Sequence, residues 1–97
     1  MSADERRSRI EHGISPVLRI ANRPAERFTL AERMARYQVP GCSIAAIDDG
    51  EISWAGGYGV ARAGGAPVHA TTLFQAASIS KAVAAVGVLV LVEWGEI

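Results

Sequence analysis

The alternation of apolar and polar positions divides the chain into five stretches. From about Asp4 to Ala21 the composition is helical, with Ile10, Ile14, Val17 and Leu18 on one stripe, but Gly13 and Pro16 interrupt it. The pattern predicts a broken helix. After the polar Asn22-Arg23-Pro24 turn, Thr29 stands as an N-cap with Glu32 at the reciprocal capping position. Leu30, Met34 and Tyr37 give this second helix its apolar side, and Pro40-Gly41 ends it. Cys42 to Ile47 is a run rich in β-formers, Asp48-Asp49-Gly50 is a hairpin turn, and Glu51 to Ala55 returns as a second strand. Gly56-Gly57-Tyr58-Gly59 lacks the spacing and the following helix of a phosphate cradle, so tight packing or a strand bend is the expected role. Ala63-Gly64-Gly65-Ala66-Pro67 reads as a surface turn, and Thr72 to Gln75 leads into the last helix.

That last helix carries eleven consecutive residues without a polar side chain, Ala82 to Val92. The run is too short to span a bilayer, and a helix apolar on all sides needs neighbours on all sides. Two amphipathic segments and one hairpin cannot surround it. The pattern therefore predicts a buried core helix of a larger domain, with residues 1–97 forming the N-terminal part of that single domain. Gly95 follows the helix as a C-terminal glycine.

Charge narrows the function classes. Ten basic and ten acidic residues give a net charge of zero, which removes the electrostatic footprint of a nucleic-acid binder. Eight Arg fall within the first 36 residues but are interleaved with five acids, as on a solvated helical face. The N-terminal nine residues have no apolar core and do not resemble a secretory signal, so a cytoplasmic location is expected. Cys42 is alone, and His12 and His69 are the only histidines, so neither a disulfide nor a metal site is expected. No cofactor is implied.

Candidate chemistry centres on Lys81, the only lysine, three residues after Ser78 in Ser78-Ile79-Ser80-Lys81. Three residues is just under one helical turn, so hydroxyl and amine project from the same face. A lysine amine, unlike the nine arginines, is able to shed a proton and serve as the base for a serine nucleophile. The spacing by itself is weak, because such pairs recur by chance. The alternative is that Ser78 or Ser80 caps the helix and Lys81 is a solvated side chain.

The surrounding residues decide between these readings. Val39-Pro40-Gly41-Cys42-Ser43-Ile44-Ala45, Asp49-Gly50, Gly57-Tyr58-Gly59, Thr72-Leu73-Phe74, Ser78-Ile79-Ser80-Lys81 and Leu91-Val92-Glu93-Trp94-Gly95-Glu96-Ile97 occur in one order. Over roughly residues 27 to 97 this resembles the serine β-lactamase-like hydrolases: class C β-lactamases, D-alanyl-D-alanine peptidases and β-lactamase-type esterases. The resemblance implies an α/β (α+β) domain, an antiparallel sheet flanked by helices, with the serine heading a central buried helix. It implies that Ser78 attacks an ester or lactam carbonyl to form an acyl-enzyme, that Lys81 helps remove its proton, and that the backbone N–H of Ser78 supplies half of an oxyanion hole. The implied partner is a small-molecule ester or β-lactam-like substrate.

The family's Tyr-x-Asn motif and its Lys-Thr-Gly or His-x-Gly motif normally lie well downstream of the lysine, and neither is present among these residues. Tyr58 precedes the nucleophile and is not a substitute. The expectation is a hydrolase parent whose 97-residue portion is inactive alone. The alternative is a non-catalytic chain that associates with a partner through its apolar helix.

Overall fold

A computed structural model describes residues 1–97. In chain order the elements are α1 (Ala3–Glu11), α2 (Leu30–Arg36), β1 (Gly41–Asp48), β2 (Glu51–Gly59) and α3 (Ile79–Glu93). The fold is α+β, with three helices and one two-stranded antiparallel sheet.

Both short helices begin with a capping box. Ser2 Oγ accepts from the Glu5 N–H while Glu5 accepts from the Ser2 N–H, and Thr29 and Glu32 repeat the arrangement. Each box satisfies two of the donors that a helix start leaves free. The first helix is shorter than its composition suggests. It ends at Glu11, Gly13 then passes so close to the Arg9 carbonyl that a Cβ there would overlap it, and Ile14 pairs with Phe28 in an isolated antiparallel bridge. Val17 and Leu18, expected on the helical stripe, lie exposed in the following loop.

The hairpin turns on Asp49 (φ +48°) and Gly50 (φ +76°), two positive values that fit the Asp-Gly signature of a type I′ turn. Ala46 pairs with Trp54 and Ile47 with Ile52, so Ser53 is an extra residue that bulges β2. The second strand runs four residues beyond its expected end and absorbs the glycine run. Gly57 explains why glycines stand there. A Cβ at that position would overlap the Val68 carbonyl, so the absence of a side chain lets the 67–69 segment pass directly over the strand. Val68 is there 4 % exposed and donates its N–H to the Gly59 carbonyl. In the whole domain, Gly57→Ala is expected to push this segment away and to destabilise the fold by about 1–3 kcal/mol, the usual range for overpacking; an unchanged denaturation midpoint would contradict it.

Residues from α1 clamp onto β2. Tyr58 Oη donates to Glu11 Oε1 at 2.7 Å, Arg7 Nε donates to the same oxygen at 2.7 Å, and the Arg7 guanidinium lies 5.7 Å from the Trp54 ring centre and 5.8 Å from that of Tyr58. The Tyr58 hydrogen bond, followed by that of Arg7, holds the Glu11 carboxyl below its ordinary value of 4.5. A depressed folded-state value means that the clamp contributes fully above about pH 4.5 and is lost as pH falls through the lower folded value. In the whole domain, amide exchange protection in residues 3–11, corrected for intrinsic rates, is expected to drop on acidification below pH 4.5, with Tyr58→Phe moving the onset upward. Identical profiles for both proteins would remove the clamp.

On the other side, Met34 of α2 meets Cys42 of β1, with the two sulfurs 3.9 Å apart. Desolvation raises the pKa of this half-buried thiol, which disfavours its reactive thiolate form. Arg33 of α2 stacks on Phe28, its guanidinium carbon 3.9 Å from the ring centre.

Helix α3 is different, since every one of its residues except the half-buried Val90 is exposed, Leu89 at 66 %. The radius of gyration of 18.0 Å exceeds the roughly 13 Å of a compact 100-residue domain. No helix is long and apolar enough to cross a membrane. The helix ends in a Schellman motif: Gly95 (φ +74°) donates to the Val92 carbonyl and Glu96 to that of Leu91. Its end is thus specified locally although its sides are uncovered.

Candidate active site

Ser78 sits at the N-cap of α3 and Lys81 in its first turn, both exposed. Local geometry explains why Ser78 is not a simple cap. A capping serine sits in the extended region and folds its hydroxyl back onto the N–H two or three residues on. Ser78 instead has φ −67° and ψ −11°, already helical, and its side chain makes no capping hydrogen bond. Ser78 is therefore distinguishable from the true caps, Ser2 and Thr29, which do accept from the backbone.

The hydrogen bonds at the start of α3 leave a specific set of groups free. The N–H groups of Ile79, Ser80 and Lys81 donate to the carbonyls of Ala76, Ala77 and Ser78 at 3.0, 3.1 and 3.1 Å. The Ser78 N–H donates to no backbone carbonyl, and neither its hydroxyl nor the Lys81 amine has a hydrogen-bond partner, each other included. A hydroxyl and an N–H on one residue, beside the positive end of a 15-residue helix and one turn from an amine, can receive a carbonyl: the hydroxyl as attacking group, the N–H as a donor to its oxygen.

Ser80 is separated from this arrangement by its own N–H bond to Ala77 and by its place next to Lys81, about 100° round the helix. Tyr58 is held to Glu11 in the clamp, a structural use of its hydroxyl. One feature of the site has no sequence signal. Ala77, immediately before Ser78, has φ +45°, and nothing in Ala76-Ala77-Ser78 announces it, as a glycine would have done.

The Beta-lactamase family model matches residues 28–97. The match takes in α2, both strands, α3 and the Ser78–Lys81 pair, and it leaves out α1. No curated protein and no solved structure matches the chain. A match over more than half of its length, with the hairpin and the serine-headed helix inside it, makes the chain a member of the beta-lactamase family.

Proposed function

We propose that this chain is the N-terminal part of a serine hydrolase domain that cleaves ester or amide bonds, β-lactam-like ones included, through an acyl-enzyme on Ser78. The observation that carries the reading is the uncapped Ser78 hydroxyl at the head of α3, one turn before the only lysine and within the family match. In the first step Ser78 Oγ bonds to the substrate carbonyl carbon as its proton passes to the Lys81 amine, and the Ser78 N–H donates to the oxygen that gains charge. The leaving group departs with a proton, and water then releases the acyl group. Lys81 is the one side chain in the helix's first turn able to act as a base, because Ile79 has no titratable group and Ser80 no basic one.

The uncovered apolar faces of α3 support a larger domain around these residues. The 97 residues alone are proposed to be inactive, with the substrate a small molecule and the location cytoplasmic. The uncovered α3 also favours a second reading, in which the chain is non-catalytic and docks this helix onto a partner.

Acylating the whole domain with a fluorophosphonate and mapping the labelled peptide separates the two. Label on Ser78 is the expected result; label on Ser80, or none on the 78–81 segment, would overturn the hydrolase reading.

A further inference from the structure

Arg6, Arg9 and Ile10 stand at i, i+3 and i+4 on α1 and so share one face of that helix. The Ile14–Phe28 bridge brings Arg27 beside them, where its Nη1 donates to the Gly13 carbonyl at 3.1 Å. Together with Trp54 of β2 these residues line a cleft of about 540 Å³. Eight of its ten lining residues precede residue 28, so the cleft is built almost wholly by the part of the chain outside the family match.

Its charge is one-sided. Ten acids balance ten bases over the whole chain, yet three arginines and no acidic residue line this cleft. Arg6 pairs with Asp48 at 2.6 Å, but neither Arg9 nor Arg27 has a carboxylate partner. Arg9 Nη1 reaches only the Met1 sulfur, at 3.3 Å, a weak acceptor, and the partner of Arg27 is a neutral carbonyl. Guanidinium groups gathered without counter-charge repel one another, and an oxyanion relieves that repulsion while matching their fork geometry. The floor is apolar: Ile10 and Ile14 are half-buried and Trp54 is buried. A few polar groups over an apolar floor is the make-up of a small-molecule site, and the volume falls within the usual range of about 300–1,000 Å³.

We propose that the cleft between α1 and the sheet binds a small amphipathic oxyanion, a carboxylate or phosphate group carried on an apolar body, with Arg9 and Arg27 holding the head group and Ile10, Ile14 and Trp54 the body. None of the lining residues belongs to α3, so the cleft stands apart from the Ser78 site. A ligand that touches α1, Arg27 and β2 at once ties the N-terminal segment to the sheet and stabilises that attachment by mass action.

The test titrates the whole domain with 3-phenylpropionate, phenyl phosphate and the neutral 3-phenylpropionamide by calorimetry, with amide exchange in residues 3–11 as a second readout. The better of the two anions is expected to bind with a Kd of about 1 mM or below, within reach of a ligand of about eleven heavy atoms, and to slow that exchange. Which anion binds better tells a carboxylate ligand from a phosphate one. Arg9→Gln and Arg27→Gln are each expected to weaken it about tenfold, the low end for a hydrogen bond to a charged group, whereas Arg23→Gln, on a separate cleft, leaves it unchanged. Added salt is expected to weaken binding too, and the amide to bind about tenfold more weakly than the acid. The salt and amide measurements need no variant, so they decide should the substitutions prevent folding. An amide as tight as the acid, two arginine variants with the parent affinity, or no binding at all, as when a side chain of the remaining domain already fills the cleft, overturns the proposal. Fluorophosphonate labelling of Ser78 on the same protein bears on the hydrolase reading alone, so the two failures are distinguishable.

Discussion

Ser78→Ala in the whole domain is expected to lower ester turnover on the order of 10⁶-fold, the scale on which serine hydrolases lose rate when the nucleophile is removed. On the proposed mechanism the effect is large because Ser78 would contribute the bond-forming oxygen, which no neighbour replaces. Ser80 is the only other hydroxyl in the helix's first turn, and its side chain diverges from the Ser78–Lys81 line by about 100°. Lys81 supplies the second arm of the same prediction. Lys81→Ala removes the proposed base, and Lys81→Arg keeps a positive charge but cannot readily deprotonate, so both are expected to lose comparable activity. If charge alone mattered, Arg would restore the rate. Steady-state kinetics on p-nitrophenyl esters checks all three variants, and an Arg variant with near-normal kcat would remove the base role from Lys81 while leaving Ser78 in place.

The parts of the fold that are local in origin were legible. Thr29 with Glu32, Asp49-Gly50 and Gly95 each specify a cap or turn through groups a few residues apart, and the structure forms all three where the residues stand. The failures have a common cause in contacts between distant segments. Gly57 belongs to β2 because the 67–69 segment crosses it, a contact that spacing along the strand does not reveal. The first helix stops at Glu11 because Ile14 finds Phe28, fourteen residues away, as a better partner than the next helical turn. In the site, the Ser78–Lys81 spacing is a helical property and could be read directly. The positive φ at Ala77 could not, since it arises from how the 76–79 turn meets α3 rather than from any preference of alanine. Nor does the pattern show that the Ser78 hydroxyl stays free, because serine at a helix start more often caps it.

The isolated 97-residue chain is expected to bind ANS strongly, to lack a sharp thermal transition and to show no turnover. The magnitudes decide this. Seven large aliphatic side chains on α3, Ile79, Val83, Val86, Val88, Leu89, Leu91 and Val92, stand exposed. Burying each would contribute about 1.5–3 kcal/mol, so roughly 10–20 kcal/mol of stabilisation is forgone, as much as a whole domain's net stability of about 5–15 kcal/mol. The buried interior consists of Trp54, Gly56 and Val68, too little to offset the entropy of ordering the chain. A helix carrying this much uncovered apolar surface associates with other copies or fluctuates, and the Ser78 hydroxyl and N–H at its head then lose their fixed alignment with Lys81. Loss of one aligned oxyanion donor already costs about 100- to 1000-fold, and here nucleophile, base and donor would all be misplaced together. Nitrocefin and p-nitrophenyl ester assays, ANS fluorescence and calorimetry on the purified chain test the prediction. A monomer with a two-state transition and no ANS signal would show that α3 is covered by residues of this chain after all, and Ser78-dependent multiple turnover would show that the site is complete within residues 1–97.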